Sequence, residues 1–366
     1  MKKVLFLGQL PPPYMGPSMA TEIILNSSLN NEFELIHMDT SDHRDLKFLS
    51  KFDYENVSLA LKQYTKLIYL ILTKRPDIVY IPISQTTLGY LRDVPFIIIS
   101  KVFGRKVVCH LRGGYFHKWY ESTNSMMRWI VRCTHSLVDG QIVLGEKLKW
   151  LFNNIIPEKK IFVVPNGRDF EFSFNSNKEA NKVKILYLSN LIRTKGVLDV
   201  LLAVPEVYKI HKNIEFIFAG SERDTEVKKE IDQFLYKNGY LPVRFIGPIH
   251  GKEKYSLYEI SDIFTFPTYY IMEGHPWVII EAMAAGLPII TTNHAAITES
   301  VKDGVNGFIV EKQNPKQIAE KIIYLIENPD IRKKMGEASR RLYLENFTEE
   351  KMVERMKKAF EYVLAA

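Results

Sequence analysis

The feature that most constrains the fold is an order of strand, loop and helix that occurs twice. Lys3–Gly8 is a short apolar run, and a loop rich in proline and glycine separates it from a helix-length segment near 18–29. The order returns at Val183–Ser189, followed by a loop and a helical segment near 197–211. Because buried runs that alternate with helices are typical of parallel sheets, the sequence predicts an α/β protein with two domains.

Further β-branched runs support this interpretation. In the first half they are 78–81, 106–109, 140–144 and 161–164, and in the second half 214–218, 243–246, 263–266, 288–291 and 307–310. Residues 172–182 are polar and without periodicity, which indicates a linker. We therefore expect domains at 1–172 and 183–345, then a C-terminal segment 346–366 that carries a charged amphipathic helix. Ligands bind at the carboxyl ends of parallel strands, so a cleft between the domains is expected there.

Charge is unevenly distributed along the 366 residues. Residues 1–170 contain 22 Lys and Arg against 15 Asp and Glu, which accounts for the whole net charge of +7. This excess indicates an anionic partner for the first half, unless it is only a basic solvated face. Anionic lipid headgroups or a phosphate-linked acceptor fit better than nucleic acid, because no run rich in lysine and arginine occurs.

The cysteines and the longest apolar runs indicate the compartment. Cys109 and Cys133 are the only cysteines, and neither belongs to a metal-binding pattern. Such scarcity is typical of a reducing cytoplasm, and both are expected to be buried. No apolar run approaches the ~18 residues of a membrane span.

A short helix beginning near Pro276 predicts a binding site. Proline suits the first position of a helix, where its missing N–H costs nothing. The free N–H groups of Trp277 and Val278 then form an anion site, to which we also assign the preceding Gly274 and His275.

Two glutamates flank this helix start. Glu281 lies about one turn inside the helix and leans back toward its beginning, where a carboxylate would accept the paired hydroxyls of a ribose. Glu273 precedes the helix and is expected to face whatever extends beyond the phosphate. A chance spacing of two glutamates is the alternative.

The segment resembles the E-x7-E motif of retaining glycosyltransferases with the GT-B fold, in particular family 4 (glycosyl transferases group 1). In that family the first glutamate lies near the transferred sugar and the second binds the ribose of a nucleotide-sugar donor. The resemblance implies these roles for Glu273 and Glu281, and two Rossmann-like domains facing each other across a cleft. It also implies that the C-terminal helix in 346–366 crosses back onto the first domain. It is strongest from about residue 183 to 310.

The loop after the second domain's first strand matches the family in part. The family pattern is G-R-L-x-x-x-K-G, with arginine and lysine both on the donor diphosphate, and this chain reads Ser-Asn-Leu-Ile-Arg-Thr-Lys-Gly from residue 189. Lys195 matches the lysine, Asn190 stands in the arginine's place, and Arg193 is the candidate substitute. By spacing alone, Lys195 would be a solvated loop residue.

In the first domain the resemblance implies three further site residues. Gly16 lies in a loop similar to the family's opening loop, where a glycine lets the backbone approach the donor, although a simple turn is the alternative. Arg112 takes the place of the family's histidine near the sugar, and His110 precedes it by two residues. Alternation puts both on one side of an extended chain. Arg112 suits a phosphate and is favoured, because His110 also fits as a packed core histidine.

Two strand ends of the second domain complete the predicted nucleotide site. Gly220 and Ile246 lie where the backbone of family members meets the base. A separate segment, 118–132 in the first domain, places aromatic side chains and methionines beside arginines. This pattern is typical of a helix at a membrane interface, and equally of a helix packed on its own domain.

The sequence therefore predicts a cytoplasmic glycosyltransferase, and the family resemblance implies that it retains the anomeric configuration and needs no metal and no cofactor. Its donor would be a nucleotide-diphosphate sugar and its acceptor a saccharide, in particular a lipid-linked one in envelope or capsular polysaccharide or lipopolysaccharide assembly. It would touch an anionic membrane peripherally and bind no nucleic acid. The alternatives are a nucleotide-sugar epimerase or hydrolase of the same fold, and a non-catalytic nucleotide-sugar-binding subunit.

Overall fold

The structure is a computed structural model that describes residues 1–12, 16–41, 54–173 and 182–366, apart from the side chains of Tyr54 and Asn56. Its contacts divide the chain into two compact units, the first consisting of Met1–Arg168 with Glu349–Ala366 and the second of Asp169–Thr348. Of the linker predicted at 172–182, residues 174–181 lie outside the described ranges.

The first unit contains a six-stranded parallel sheet in the order β2-β1-β3-β4-β5-β6. Its strands are β1 (Lys2–Gly8), β2 (Phe33–Asp39), β3 (Ile78–Ile83), β4 (Lys106–Leu111), β5 (Gly140–Val143) and β6 (Ile161–Val163). Its helices are α1 (Gly16–Asn26), α2 (Tyr54–Lys74), α3 (Thr87–Val102), α4 (Phe116–Ser122), α5 (Ser125–Ser136) and the C-terminal α13 (Glu349–Ala365).

The second unit repeats the architecture, with a parallel sheet in the order β12-β11-β10-β7-β8-β9. Its strands are β7 (Val183–Leu188), β8 (Ile214–Ala219), β9 (Val243–Gly247), β10 (Ile263–Phe266), β11 (Ile289–Thr292) and β12 (Gly307–Val310). Its helices are α6 (Val197–Ile210), α7 (Thr225–Lys237), α8 (Gly251–Ile260), α9 (Trp277–Ala284), α10 (Ile297–Ser300), α11 (Pro315–Glu327) and α12 (Pro329–Asn346). Two Rossmann-like α/β domains are therefore present, as predicted.

Continuous apolar runs form the central strands because both faces of each sheet are covered by helices. Val4, Leu5 and Phe6 of β1 are all 0% exposed. Phe360 of α13 packs edge-on against Phe6, with the ring centroids 6.1 Å apart, so the last helix covers one face of the first sheet.

Strand β2 was missed in the sequence for a physical reason. It lies at the edge of the first sheet, and most of its residues are only half-buried. A strand of this kind needs no continuous apolar run, so Phe33–Asp39 carries several polar side chains. One boundary also differs from prediction, because α1 begins at Gly16 rather than at Ser18.

None of the helices in the described parts of the chain is both long and apolar enough to cross a membrane.

Candidate active site

The predicted donor site begins at the carboxyl edge of the second sheet. Strands β7 and β10 are neighbours there, and the chain runs from β7 to β8 on one side and from β10 to β11 on the other. Such a reversal is where ligands bind in open α/β sheets. The loops that follow the two strands touch, since the N–H of Tyr269 donates to the carbonyl of Thr194 over 2.7 Å.

These two loops bring Lys195 and Glu273 together. The ammonium of Lys195 lies 3.4 Å from Oε2 of Glu273, and both side chains are largely buried, at 17% and 13% exposed. Oε2 has no hydrogen-bond partner among the described residues, so the pair is held by charge alone. The ammonium also lies 5.3 Å from the centre of the Tyr270 ring. A loose pair of opposite charges in a partly buried position leaves lone pairs and N–H groups free for a ligand.

Two glycines fix the backbone around this pair. Gly196 has φ +82°, and a Cβ there would lie 2.6 Å from the carbonyl oxygen of Pro267. Gly220, at the end of β8, has φ +149°, and a Cβ would lie 1.8 Å from the carbonyl oxygen of Ser189. Both contacts are closer than any side chain allows, so only glycine lets these strand ends approach each other.

Helix α9 starts one residue later than predicted, with Pro276 as its N-cap residue rather than its first helical residue. The N–H of Ile279 bonds to the carbonyl of Pro276 over 3.2 Å. The N–H groups of Trp277 and Val278, at the first two helical positions, have no carbonyl partner within the helix. The helix start thus has the free N–H groups that the sequence predicted, and anion binding there stays a prediction.

The Glu281 side chain is only 1% exposed and is held by helix α8. Its Oε1 lies 2.5 Å from the ammonium of Lys254, and its Oε2 accepts a hydrogen bond of 2.8 Å from the Tyr258 hydroxyl. Burial raises the pKa of Tyr258 well above its usual value, and the charge of Glu281 raises it further. The hydroxyl therefore stays protonated and remains a hydrogen-bond donor. Both partners are new to the site, since neither follows a strand or belongs to a motif. The ribose role of Glu281 stays a prediction.

The remaining predicted nucleotide residues lie around these loops. Asn190 is exposed after β7, and Ile246 is half-buried in β9. Gly274 is buried, and its carbonyl accepts from the N–H of Ala296 over 3.1 Å. The ring of His275 is 4% exposed and lies 2.7 Å from the Ser300 hydroxyl. His275 is thus buried as a whole, and its place at an anion site stays a prediction.

Arg193 pairs with another part of the domain. Its guanidinium binds the carboxylate of Glu230 on α7, and both side chains are nearly half exposed. Exposed pairs of this kind contribute only about 0–1 kcal/mol. Arg193 is thus not held beside Lys195 by the protein, and its predicted role on a diphosphate would require this weak pair to open.

Asp199 was not identified from the sequence. It occupies the first turn of α6 and is 8% exposed. Burial raises its pKa to about 6, while the charge of Arg193 acts in the opposite direction. No motif marks this residue, because its unusual state comes from the packing of α6 and not from its type.

In the first unit, His110 and Arg112 meet through a residue that the sequence did not reveal. The Tyr80 hydroxyl lies 2.6 Å from Nδ1 of His110 and accepts a hydrogen bond of 2.9 Å from Nη2 of Arg112. Burial, followed by the charge of Arg112, holds the pKa of His110 well below its usual value. His110 is therefore neutral and supports Tyr80, while Arg112 carries the charge of the network.

Two polar atoms of this network have no hydrogen-bond partner among the described residues. They are Nε2 of His110 and Nε of Arg112, both buried. Leaving such atoms unpaired costs about 1–3 kcal/mol each. Gly16 also belongs to this unit and is exposed as the first residue of α1, while Pro13–Met15 of the predicted loop lie outside the described ranges.

Two expectations for the first unit need revision. Cys109 is buried as predicted, but Cys133 is exposed, because it lies on the outer face of α5. The aromatic segment at 118–132 is packed on its own domain in part, and its membrane interpretation stays a prediction. Trp119 and Met127 are 5% exposed and pack inside the unit, whereas Trp129 is 65% exposed.

The second unit also has a large cavity that is not lined by the predicted donor-site residues. It measures about 1090 Å³ and is lined by Gly286, Pro288 and Arg340, at the amino ends of the strands rather than beside Lys195. Within the described ranges, no group of three or more His, Cys, Asp or Glu side chains is placed to hold a metal ion.

The geometry of the second unit agrees with a comparison of its sequence with known families. Residues 169–342 match the sequence model of the family Glycosyl transferases group 1. The second unit therefore resembles a domain of this family over nearly its whole length. The match contains the loops of Lys195 and Glu273 and the whole of α9.

Curated relatives agree with this assignment. An uncharacterised glycosyltransferase of Methanocaldococcus jannaschii, MJ1069, is 27% identical over 293 residues, covering 76% of this chain and 72% of that protein. The capsular polysaccharide biosynthesis glycosyltransferase CapM of Staphylococcus aureus is 32% identical over 215 residues, or 55% of each chain. The chain thus spans only about half the length of CapM.

Solved structures show the same fold over the whole chain. The crystal structure of Anabaena HepE in complex with UDP superposes with a TM-score of 0.75 at 18% identity, covering 98% of this chain and 99% of that one. Each unit of this protein thus has the architecture found in GT-B glycosyltransferases.

Proposed function

We propose that this protein is a glycosyltransferase that moves a sugar from a nucleoside-diphosphate sugar to a hydroxyl of a saccharide acceptor. The observation that carries the proposal is the loose pair of Lys195 and Glu273 at the carboxyl edge of the second sheet. It lies in a domain that resembles the family Glycosyl transferases group 1 and follows the two strands between which the connections reverse.

Charge development explains why these groups suit the reaction. When the bond between sugar and diphosphate breaks, negative charge accumulates on the diphosphate. The Lys195 ammonium and the free N–H groups at the start of α9 are fixed donors for that charge. Removing one such donor from an active site typically costs about a hundredfold to a thousandfold in rate. Glu273 accepts hydroxyls of the sugar, and Glu281 accepts hydroxyls of the ribose.

Three finer features complete the proposal. Transfer retains the configuration at the anomeric carbon, and it needs no metal, because the lysine and the helix end meet the leaving charge. The acceptor is a lipid-linked saccharide of envelope or capsular polysaccharide assembly, and the reaction takes place in the cytoplasm. Support comes from the family resemblance, from the basic first half and from the likeness to CapM.

The first test is thermal stabilisation by UDP, GDP, ADP, TDP and CMP in the presence of a chelator. A ligand at about a hundredfold over its dissociation constant stabilises by about 2.7 kcal/mol, which moves Tm by several degrees. We expect one nucleoside diphosphate to give this shift and thereby to identify the base. UDP is tried first because HepE was crystallised with it.

A matched pair of variants locates the site. Lys195→Ala should abolish the shift, whereas Lys228→Ala should leave it intact, because Lys228 lies on α7 of the same domain with half of its side chain exposed. No shift with any nucleotide, with or without magnesium, would contradict the proposal. A shift only with magnesium would contradict metal independence.

Product analysis separates the proposal from its two rivals. With the matching donor, we expect release of the nucleoside diphosphate to depend on a saccharide acceptor. Product formed without any acceptor would instead identify an epimerase or hydrolase. Binding of the donor with no release under any condition would identify a binding subunit.

A further inference from the structure

An exposed apolar stripe runs along helix α3 of the first unit. Its most exposed apolar members are Leu88 (44%), Leu91 (41%), Ile98 (43%) and Val102 (76%), and the half-buried Pro95 lies between them. Their spacing alternates between three and four residues, which places all five on one side of the helix. Soluble proteins rarely expose such a stripe to water, and exposed apolar patches of this kind mark interaction surfaces.

The two neighbouring helices extend this stripe into a surface. The strand order and right-handed crossovers put α2, α3 and α5 on the same face of the first sheet, and α3 packs against both of the others. Large exposed apolar side chains also occur on α2 and α5. They are Leu61 (58%), Tyr69 (64%), Leu72 (56%), Met126 (68%) and Trp129 (65%). We call the outer side of these three helices the α2–α3–α5 face.

Positive charge accompanies the apolar side chains. The three helices contain seven lysines and arginines and only two carboxylates, Glu55 and Asp93. Asp93 is 1% exposed and paired with Arg92, so it does not oppose the outer charge. Lys62 and Lys66 are exposed on α2 beside its apolar residues, and Arg132 is exposed on α5. Much of the excess charge of residues 1–170 therefore lies around an apolar centre.

We propose that the α2–α3–α5 face docks on the surface of an anionic lipid bilayer. Leucine, isoleucine and valine of α3 would enter the boundary between headgroups and acyl chains, as the apolar side of an interfacial helix does. Tyr69 and Trp129 have the amphipathic rings that prefer this depth. The lysines and arginines would lie among the anionic headgroups, and each contributes about fivefold to the partition coefficient. This inference does not depend on the proposed sugar transfer.

The charge favours this partner over a second copy of the chain. Two copies meeting through this face would bring two positively charged surfaces together, which opposes association. An anionic bilayer has the opposite sign and offers an apolar interior to the α3 stripe. The arrangement accordingly fits a lipid surface better than a symmetric dimer.

The test is co-flotation of the full chain with vesicles of phosphatidylcholine alone and with 30% phosphatidylglycerol. We expect at least about tenfold stronger binding to the anionic vesicles, and a decrease with added salt. The double variant Leu91→Glu/Ile98→Glu should lower the binding at least about tenfold. Lys62→Glu/Lys66→Glu should lower it to a similar extent on anionic vesicles only.

Leu202→Glu is the matched control, because this leucine is 53% exposed on α6 of the second unit and is not part of the proposed face. It should bind vesicles like the parent chain. Retained Tm shows that each variant folds. Absence of binding to both vesicle types, or equal binding by the Leu91/Ile98 variant, would overturn the proposal. So would a parent chain that light scattering shows to be a dimer and that the same two substitutions make monomeric.

Discussion

The two units hold their candidate site residues in opposite ways. In the second unit, Lys195 and Glu273 approach to 3.4 Å without a hydrogen bond, so the charges stay available to a ligand. In the first unit, Tyr80 joins His110 and Arg112 through hydrogen bonds of 2.6 and 2.9 Å. The hydrogen-bonded network of the first unit fixes its side chains, whereas the charged pair of the second unit is free to bind a ligand. The charged groups of Lys195 and Glu273 are therefore available to a ligand, whereas Arg112 is tied to Tyr80 within its own unit.

The largest effect is expected at Glu273, the carboxylate of the open charged pair in the second unit. Glu273→Gln keeps the shape but removes the charge, so the rate of transfer should fall about a hundredfold to a thousandfold while stability changes by less than about 1 kcal/mol. Steady-state kinetics and thermal unfolding check both parts. A variant with unchanged kcat/KM would show that the open pair is not part of the reaction.

Glu281 should behave differently because its carboxylate is buried and already paired. Glu281→Ala leaves Lys254 without its partner, which should cost about 3 kcal/mol of stability in the second domain, and it should also weaken donor binding. Denaturant unfolding and calorimetric titration with the identified nucleotide measure the two effects. Lys254→Ala provides the comparison, since it breaks the same ion pair without removing the carboxylate. Donor affinity unchanged in Glu281→Ala would exclude the ribose role.

Asp199 makes the stability of the second unit depend on pH. Burial raises its folded pKa to about 6, above the usual value of 3.8. The native state therefore binds the proton more tightly and loses stability as pH rises between these values. The full difference corresponds to about 2–3 kcal/mol. Asp199→Asn should remove this dependence, so the free energy of unfolding of the variant should rise relative to that of the parent between pH 4 and 7. If parent and variant show the same pH profile of unfolding free energy, the carboxyl is not buried as described.

The smallest effect is expected at Tyr80. Tyr80→Phe removes the hydroxyl that joins Arg112 and His110, and unfolding should become easier by about 1–2 kcal/mol. The nucleotide site is proposed in the second unit, so nucleotide affinity should stay within about twofold. If Arg112 contacts the donor as the family resemblance implies, the KM for the sugar donor should rise. Tyr90→Phe is a matched control, since the Tyr90 hydroxyl also binds a buried histidine, His135, over 2.8 Å. Equal kinetic effects of the two variants would make the role of Tyr80 purely structural.

The sequence predicted every described strand except β2, although the other edge strands β6, β9 and β12 were found. Central strands such as β1 and β8 are apolar along their length because helices cover both faces, and this pattern is visible in the residues. Strand β2 lies at an edge and was missed. The single-residue difference at Pro276 has a similar origin, because helix ends depend on local backbone geometry more than on residue type.

For the site, the sequence identified residues that belong to loops after strands. Lys195 and Glu273 follow β7 and β10, and parallel strands bring their carboxyl ends to one edge, so their proximity was predictable. Tyr80, Lys254 and Tyr258 could not be found in this way. Each lies within a strand or helix and matters because of a neighbour that is distant in the chain.

The sequence by itself determined the α/β class, the repeated order of elements and the family that the second domain resembles, because these depend on periodic burial and on local motifs. Only the tertiary structure decided which charges are open and which are tied. The state of a side chain depends on its burial and on partners such as Tyr80 for His110, or Lys254 for Glu281, and these partners are set by packing between elements. The same packing left the stripe on α3 exposed, since periodicity shows that a helix has an apolar side but not whether that side is covered.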